Sequence, residues 1–522
     1  MDHFNYQNGR LSCEGLDLAT IAASVKTPVY IYSAATLRLH YQRLAAAFAP
    51  LDPLICFSVK SCSNLSILKT LVDLGAGLDV VSGGELCRAR LAGVSPDKIV
   101  YAGVGKTDEE IISALGCPAD NEPRAPIRAT TNRATTLAAL GQGSAEYQDD
   151  PANSADPDPI FLFNIESEQE FGAISTLAQN LNVRARAALR VNPDVDPFTH
   201  KHTTTGKAET KFGVDIGRVK SFFKSYDGHP HLKLVGLHVH LGSPVLSPRP
   251  YVQAILKILA LADELERDGH RIEVLNLGGG FGADYTTGQS IPATDYAKEI
   301  VPLLHEWLEK RWAERGGGRR TKIILEPGRS IVANAGVLLT RIQYIKTSGT
   351  KKFLVCDAGM HTLLRPALYD AFHFIWPVNV APEHVPPMRA KDLSRAPTDE
   401  EWRSGGVEEH KTDSSTPLPL HPSTPPPPLP GLDPCDIVGP ICETADFLST
   451  NPATRPLPPV AKGDLLAVFT TGAYGMSMSS RYNSHPLPAE VLIDHGQATI
   501  IRQRETYADL VEHEMEPEAI GM

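Results

Sequence analysis

Residues 54–60 read LICFSVK, a short run rich in Leu, Ile, Cys and Phe that ends on a lysine. A run this short and this continuously apolar is a strand covered on both faces, which is the signature of a parallel sheet. Seven further runs share the character: Gly77–Ser82, Lys98–Gly103, Ile160–Glu166, Ala185–Asn192, Leu234–Leu241, Glu273–Leu277 and Lys322–Leu325. Between several of them, Asn64–Leu74, Tyr251–Arg267 and Tyr296–Trp312 repeat apolar residues at helical spacing. Eight strand–helix units over roughly 270 residues match the count and length of a closed (β/α)8 barrel. An open doubly wound sheet is the competing architecture. After Arg329 the rhythm changes to strand-like runs without helices, at Gly336–Lys346, Lys352–Cys356, Asp464–Phe469 and Ala489–Ile493.

The expected organisation is therefore α/β. Residues 1–33 carry N-terminal strands that join a β-domain, 34–330 form the barrel, and 331–522 form the rest of the all-β domain. Two stretches break the pattern. Residues 116–159 mix Pro, Asn, Asp, Ser and Ala without a hydrophobic period, and 381–434 contain LPLHPSTPPPPLPG beside a charged run. Neither can bury enough apolar surface to offset its ordering entropy, so both are expected as mobile insertions. The proline run also has the composition of a polyproline ligand, although a solvated loop is the plainer reading.

Composition narrows the function classes. The 522 residues carry a net charge of −11, which leaves no basic excess for nucleic acid. No apolar run has the ~18 residues of a membrane span. The start MDHFNYQNGRLSCEGLD lacks the basic and apolar regions of a secretory signal. The eight cysteines occur singly, with no metal-ligand spacing. A soluble cytoplasmic protein without a structural metal is expected.

The polar residues of interest gather where strands end: Lys60, Ser82-Gly83-Gly84-Glu85, His240, Ser243, Gly278-Gly279-Gly280 and Glu326. In a barrel these positions share the face on which active sites are built. A lysine partly desolvated at a strand end has a lowered pKa and can form a Schiff base. Consecutive glycines let backbone N–H groups approach a phosphate. A histidine ring can stack on a flat cofactor, and Ser243 can hold a phosphate oxygen. Glu326 could hold a proton on a pyridine nitrogen, and Arg329 could grip a phosphate or carboxylate as a planar fork. Singly, each has a plainer reading: a surface lysine, a tight turn, a satisfied core histidine, a strand-end ion pair. Together they are what pyridoxal phosphate requires.

FSVKSCSN, GLDVVSGGE, KFGVD, GLHVHLGS, LNLGGGFG, LEPGRS, RPALY, GPICETADF and GAYGMSMSSRYNSHPLPAEVL occur in one order along the chain. In that order they resemble the diaminopimelate decarboxylases, members of the fold-III pyridoxal-phosphate enzymes with alanine racemase and ornithine decarboxylase. The resemblance extends to about Tyr507 and implies decarboxylation of meso-2,6-diaminopimelate to L-lysine by a head-to-tail homodimer with interfacial active sites. It implies Lys60 as the Schiff-base lysine and Asp79, His240, Ser243, Gly278, Gly279, Gly280, Glu326, Arg329 and Tyr474 as cofactor contacts. It further implies Arg329, Arg365, Tyr369, Glu443 and Tyr474 as substrate contacts, and Cys442 as the proton donor lent with Glu443 to the neighbouring subunit. Four places depart from the family pattern: Cys62, Pro244, CETAD for CESGD, and TTGAYG for DAGAYG. A related decarboxylase for arginine, ornithine or a carboxylated polyamine, and a non-catalytic regulatory homologue, are the alternatives.

Overall fold

The computed structural model describes residues 3–117, 159–196, 211–285, 291–318, 320–386, 431–450 and 453–515. The chain opens with a small meander of β1 (Phe4–Gln7), β2 (Arg10–Cys13) and β3 (Leu16–Asp17), followed by β4 (Val29–Ser33). Next come β5 (Leu54–Ser58), β6 (Gly77–Val80), β7 (Ile99–Tyr101), β8 (Leu162–Ile165) and β9 (Ala185–Asn192), with β10 (Val214–Asp215) as a short addition beside β9. The series ends with β11 (Leu232–His238), β12 (Val274–Asn276) and β13 (Lys322–Leu325). All eight expected barrel strands are present. They are parallel, in the order β9-β11-β12-β13-β5-β6-β7-β8, and the pairing of β8 with β9 closes the ring.

The helices around the barrel begin where their sequences supply caps. Asn64 accepts the Ser66 amide at the start of Leu65–Asp73, and Ser82 accepts the Glu85 amide at the start of Gly83–Leu91. Thr107 and Glu110 form a reciprocal capping box at Asp108–Ala114, and Ser167 caps Glu168–Asn180. Each cap satisfies orphan amides immediately after a strand-end loop, so the loops on that face are short and fixed.

The barrel interior is layered. Cys56, Val100, Leu162, Ala188, Val235, Val274 and Ile324 form one fully buried apolar cluster inside the ring. Residues two apart on a strand face the same side. Stepping two residues toward the C-terminal ends, Cys56 gives way to Ser58, Leu162 to Asn164, Ala188 to Arg190, Val274 to Asn276 and Ile324 to Glu326. All five of these polar residues are buried. A dry floor thus lies one layer beneath a polar mouth.

The second unit is a nine-stranded sheet built on β14 (Gly336–Ser348), β15 (Lys351–Cys356), β16 (Ile375–Pro377), β17 (Asp433–Val438), β18 (Thr454–Leu457), β19 (Leu465–Val468), β20 (Ala489–Asp494) and β21 (Gln497–Arg502). Its ninth strand is β4, paired antiparallel with β14 and parallel with β20. Of the described residues 3–33, only Val29–Ser33 enters this sheet. The meander instead attaches to its edge, through the Leu11 amide to Val378 O at 2.8 Å. The stretches read as insertions, including the proline run, lie outside the described residues except at their ends. At one of those ends Asp433 already belongs to β17, so strand pairing starts inside the compositionally marked segment.

A buried carboxylate joins the two units. Glu490 on β20, 1% exposed, accepts from Tyr32 Oη at 2.8 Å, Asn64 Nδ2 at 2.8 Å and Arg502 Nε at 2.7 Å. Asn64 belongs to the loop that follows Lys60, so the β-unit grips the barrel beside its candidate lysine.

Truncating the floor tests the layering. Ile324→Ala is expected to lower unfolding free energy by roughly 2–5 kcal/mol, read from the urea midpoint. A loss under about 1 kcal/mol would mean the floor is not packed.

Candidate active site

Lys60 sits on a single 3-10 turn, Val59–Ser61, immediately after β5. The turn is pinned from the β-unit, because the Tyr474 amide donates to Ser61 O at 2.8 Å. Tyr474 adopts the left-handed region (φ 55°) to do this. Lys60 Nζ lies 2.9 Å from Asp79 Oδ2, and Ser58 Oγ donates to the same oxygen at 2.8 Å. The lysine side chain is 32% exposed while Asp79 is fully buried, so the amine is at the base of an open cleft.

The sequence reading expected burial to lower the pKa of this lysine. Burial does pull in that direction, but Asp79, Tyr474 and Glu326 outweigh it and hold Lys60 above the ordinary lysine range. The correction has a simple cause: the strand that places Lys60 in the mouth has a neighbour, β6, that places Asp79 opposite. Burial and the nearby Glu326 in turn push the Asp79 carboxyl up, opposed by Lys60 and Ser58. Glu85, behind Asp79, is raised to about 7 by burial, even though the Val81 amide donates to it at 2.9 Å.

Glu326 is 2% exposed just past β13. Asn276 Nδ2 donates to its Oε1 at 2.6 Å, Asn164 Nδ2 to the same oxygen at 3.0 Å, and His238 Nε2 lies 3.4 Å from Oε2. Burial alone would raise the carboxyl. His238, Lys60 and Asn276 reverse that and keep Glu326 ionised well below the usual range. The sequence reading did not single out His238, Asn164 or Asn276. The available signal was a polar residue two positions beyond an apolar one inside an otherwise apolar strand.

The glycine triplet, expected as a phosphate cradle, also makes hydrogen bonds of its own within the site. The Gly278 amide donates to Asn276 Oδ1 at 2.9 Å and the Gly279 amide to His240 Nδ1 at 3.1 Å. Two of the three amides are thereby committed inside the site. What the triplet supplies is closeness: a Cβ on Gly279 would lie 2.0 Å from Glu326 O, and one on Gly278 2.3 Å from Val239 O. The positive φ of Gly278 and Gly280 likewise demands glycine. His240, with Nδ1 accepting, is kept neutral by burial and by the charges of Arg190 and Lys60.

Beyond the triplet the site becomes cationic. Arg329 Nε donates to Ser243 Oγ at 3.0 Å, and its Nη1 donates to Tyr285 Oη at 2.5 Å. Its guanidinium lies 4.8 Å from the Tyr474 ring centre. Arg365 lies 4.4 Å from the centre of the Tyr285 ring, and the half-buried Tyr369 acts electrostatically on Arg329. Tyr285 was not anticipated from sequence.

Cys442 and Glu443 stand apart. Both are exposed, and their hydrogen bonds run to Asn483 (Cys442 amide, 2.9 Å) and to Tyr482 Oη (Glu443 Oε2, 3.2 Å). Asp446 shapes their loop by accepting the Ile441 amide at 2.7 Å and the Met360 amide at 2.6 Å. Of the departures from the family pattern, Cys62 is buried and acted on by Glu490, and the Ser243–Pro244 peptide is cis. Among the described residues, no helix is long and apolar enough to cross a membrane and no group of three metal-ligating side chains gathers.

The donor set fits pyridoxal phosphate. It combines a strand-end amine, a buried ionised carboxylate with its own donors, a neutral histidine ring on the glycine triplet and a buried guanidinium beside a serine. Comparisons with known proteins agree. Residues 34–121 and 153–333 match the family model described as pyridoxal-dependent decarboxylase, pyridoxal binding domain. The chain is 36% identical to diaminopimelate decarboxylase of Aquifex aeolicus over 98% of its length and 97% of that protein. The solved diaminopimelate decarboxylase of Helicobacter pylori complexed with L-lysine is 31% identical, with a TM-score of 0.72 over 95% of this chain and 99% of that one. The enzyme from M. jannaschii in complex with L-lysine is 29% identical, with a TM-score of 0.75 over 99% of this chain and 98% of that one.

Removing the carboxylate opposite Lys60 leaves burial less opposed. Asp79→Asn is expected to shift the pH midpoint for reaction of Lys60 with an amine reagent down by roughly 1–3 units. An unmoved midpoint would mean that Asp79 does not hold the lysine charged.

Proposed function

The chain belongs to the diaminopimelate decarboxylase family of pyridoxal-dependent decarboxylases, and we propose that it converts meso-2,6-diaminopimelate to L-lysine and CO2 with pyridoxal 5′-phosphate. The observation that carries the reading is Tyr474, whose amide holds the turn that carries Lys60 and whose ring lies under Arg329. It joins an amine-reactive end to an anion-binding end in one cleft. Diaminopimelate has both requirements: an amine at the reacting carbon and a second carboxylate at the remote end.

Pyridoxal phosphate, when bound, supplies an aldehyde for an amine and a ring that accepts the electron pair left as CO2 departs. The residues of this chain do the rest. Lys60 Nζ holds the cofactor, and Asp79 governs when that amine carries a proton. Glu326, ionised and fixed by Asn164 and Asn276, holds a proton at the ring nitrogen. His240 backs the ring face. Ser243, Arg329 and the glycine triplet, through the Gly280 amide, serve the phosphate. Arg365, Tyr369 and Arg329 take the remote carboxylate, whereas ornithine, whose remote end is an amine alone, would leave those guanidinium groups without an anion.

Cys442 Sγ returns a proton to the reacting carbon, and Glu443 receives the remote ammonium. Both residues are exposed, and the Cys442 amide and the Glu443 carboxylate hydrogen-bond to Asn483 and Tyr482, which supports their being lent to a second copy in a homodimer. In this reading the barrel unit, 34–330, holds the cofactor end. The β-unit, 331–522 with 1–33, brings the substrate end.

The test is CO2 release by the pyridoxal-phosphate-loaded protein, with meso-diaminopimelate, ornithine, arginine and lysine in parallel. Release from diaminopimelate alone, with L-lysine as product, is expected; release from another of the four in its place would overturn the substrate. Lys60→Ala is expected to lose the visible absorbance band of the bound cofactor. Cys442→Ala should keep that band and slow turnover by roughly 10²–10⁴, as loss of a general acid does. Normal turnover in Cys442→Ala would remove the assignment.

A further inference from the structure

Arg329 and Arg365 are each 6% exposed. Among the described residues, neither makes an ion pair with a carboxylate; their neighbours are phenols, a serine and a histidine. Two buried cations side by side without an anion are unfavourable unless another group shares the charge. Tyr285 is placed to share it. It is 9% exposed, six residues beyond the middle glycine of the triplet. Its hydroxyl receives Arg329 Nη1 at 2.5 Å, and its ring carries the Arg365 guanidinium 4.4 Å from its centre.

His373 completes the pocket wall. Its ring meets the Tyr285 ring edge-on at 5.2 Å, its Nδ1 is engaged by Phe469 O at 2.9 Å, and its Nε2 lies 3.4 Å from Arg365 Nη1. Burial first, and then Arg365, keep this histidine neutral, so it adds no anion. The corner is net cationic, and the phenol proton of Tyr285 is a polar hydrogen in it whose direction is free to choose. With the phenol oxygen turned toward cations, that proton is what remains to be offered to a ligand.

We propose that Tyr285 is a specificity-determining residue: it holds Arg329 and Arg365 toward one opening and donates its own O–H to the remote carboxylate bound there. The inference rests on the diaminopimelate reading above and adds to it the group that tells a dicarboxylate from a substrate ending in an amine alone. A remote end that carries an ammonium alone would leave two guanidinium groups and a donor without an anion. Burial alone would raise the phenol pKa. The two arginines outweigh burial and lower it, which makes the hydroxyl a stronger donor.

Tyr285→Phe removes one oxygen and keeps the ring between the guanidinium groups. In the loaded enzyme, its KM for meso-diaminopimelate is expected to rise roughly tenfold to a hundredfold, the range for a hydrogen bond to a charged group. Its kcat should stay within about threefold. Its inhibition constant for L-lysine, which keeps the remote carboxylate, should rise by a similar factor, while that for 1,5-diaminopentane, which has neither carboxylate, should stay within about threefold and doubles as the check on folding. An unchanged KM overturns the proposal. An unchanged lysine constant, or an equal rise in the 1,5-diaminopentane constant, also overturns it, because the lost contact would then lie elsewhere. If the unaltered enzyme releases CO2 from ornithine or arginine but not from meso-diaminopimelate, the underlying reading falls, whatever the variant does.

Discussion

The site depends on the burial of one ionised carboxylate, Glu326, inside the mouth of a closed barrel. A charge there is tolerated only if donors meet it. Support arrives from three other strands: Asn164 on β8 and Asn276 on β12 donate to it, and His238 on β11 lies 3.4 Å away. Ring closure is what makes this possible, since β8 and β12 are far apart along an open sheet but face each other across a barrel. Pairing of adjacent strands does the rest: β5 with β6 sets Asp79 opposite Lys60, and β12 with β13 sets the glycine triplet against the Glu326 carbonyl at a separation no side chain could tolerate.

The second sheet does more than cover one end. Its Tyr474 amide holds the turn that carries Lys60, and its Glu490 holds Asn64 just beyond it. The lysine is therefore positioned by two folding units at once. A carboxylate as deeply buried as Glu490, with three donors at 2.7–2.8 Å, makes that junction geometrically specific. The arginine corner has the same two-unit origin. Arg329 follows a barrel strand, Arg365 belongs to the β-unit, and Tyr285 stands between them.

Charge is distributed along the cleft in a way that suits an ordered reaction. At one end Lys60, Asp79 and Glu326 form a small array in which each group shifts the next. At the other, two guanidinium groups share a phenol. Tyr474 touches both ends electrostatically, and the neutral His240 lies where a flat ring would meet the glycine triplet. The Cys442 loop faces outward and is braced by Asp446, whose carboxylate fits only because Gly359 and Gly439 lack side chains: a Cβ on either would lie within 2.5 Å of it.

Sequence alone was enough for the eight strand runs, the change of rhythm after Arg329 and the convergence of Lys60, His240, Gly278–Gly280 and Glu326 on one barrel face. The reason is that hydrophobic period and strand-end position are local properties of the chain. The order of motifs was enough for the family. Tertiary structure alone decided what each group is next to. Lys60 was expected to be depressed by burial, yet it is held charged, because Asp79 becomes its neighbour only when β5 pairs with β6. The partners of the glycine amides were equally illegible: two of those amides donate to Asn276 and His240. Tyr285 carried no signal in its own stretch of chain, since its meaning comes from Arg329 and Arg365, which are brought to it from 44 and 80 residues away along the chain. Electrostatic environment is a sum over spatial neighbours, and those neighbours exist only in the folded barrel and its sheet.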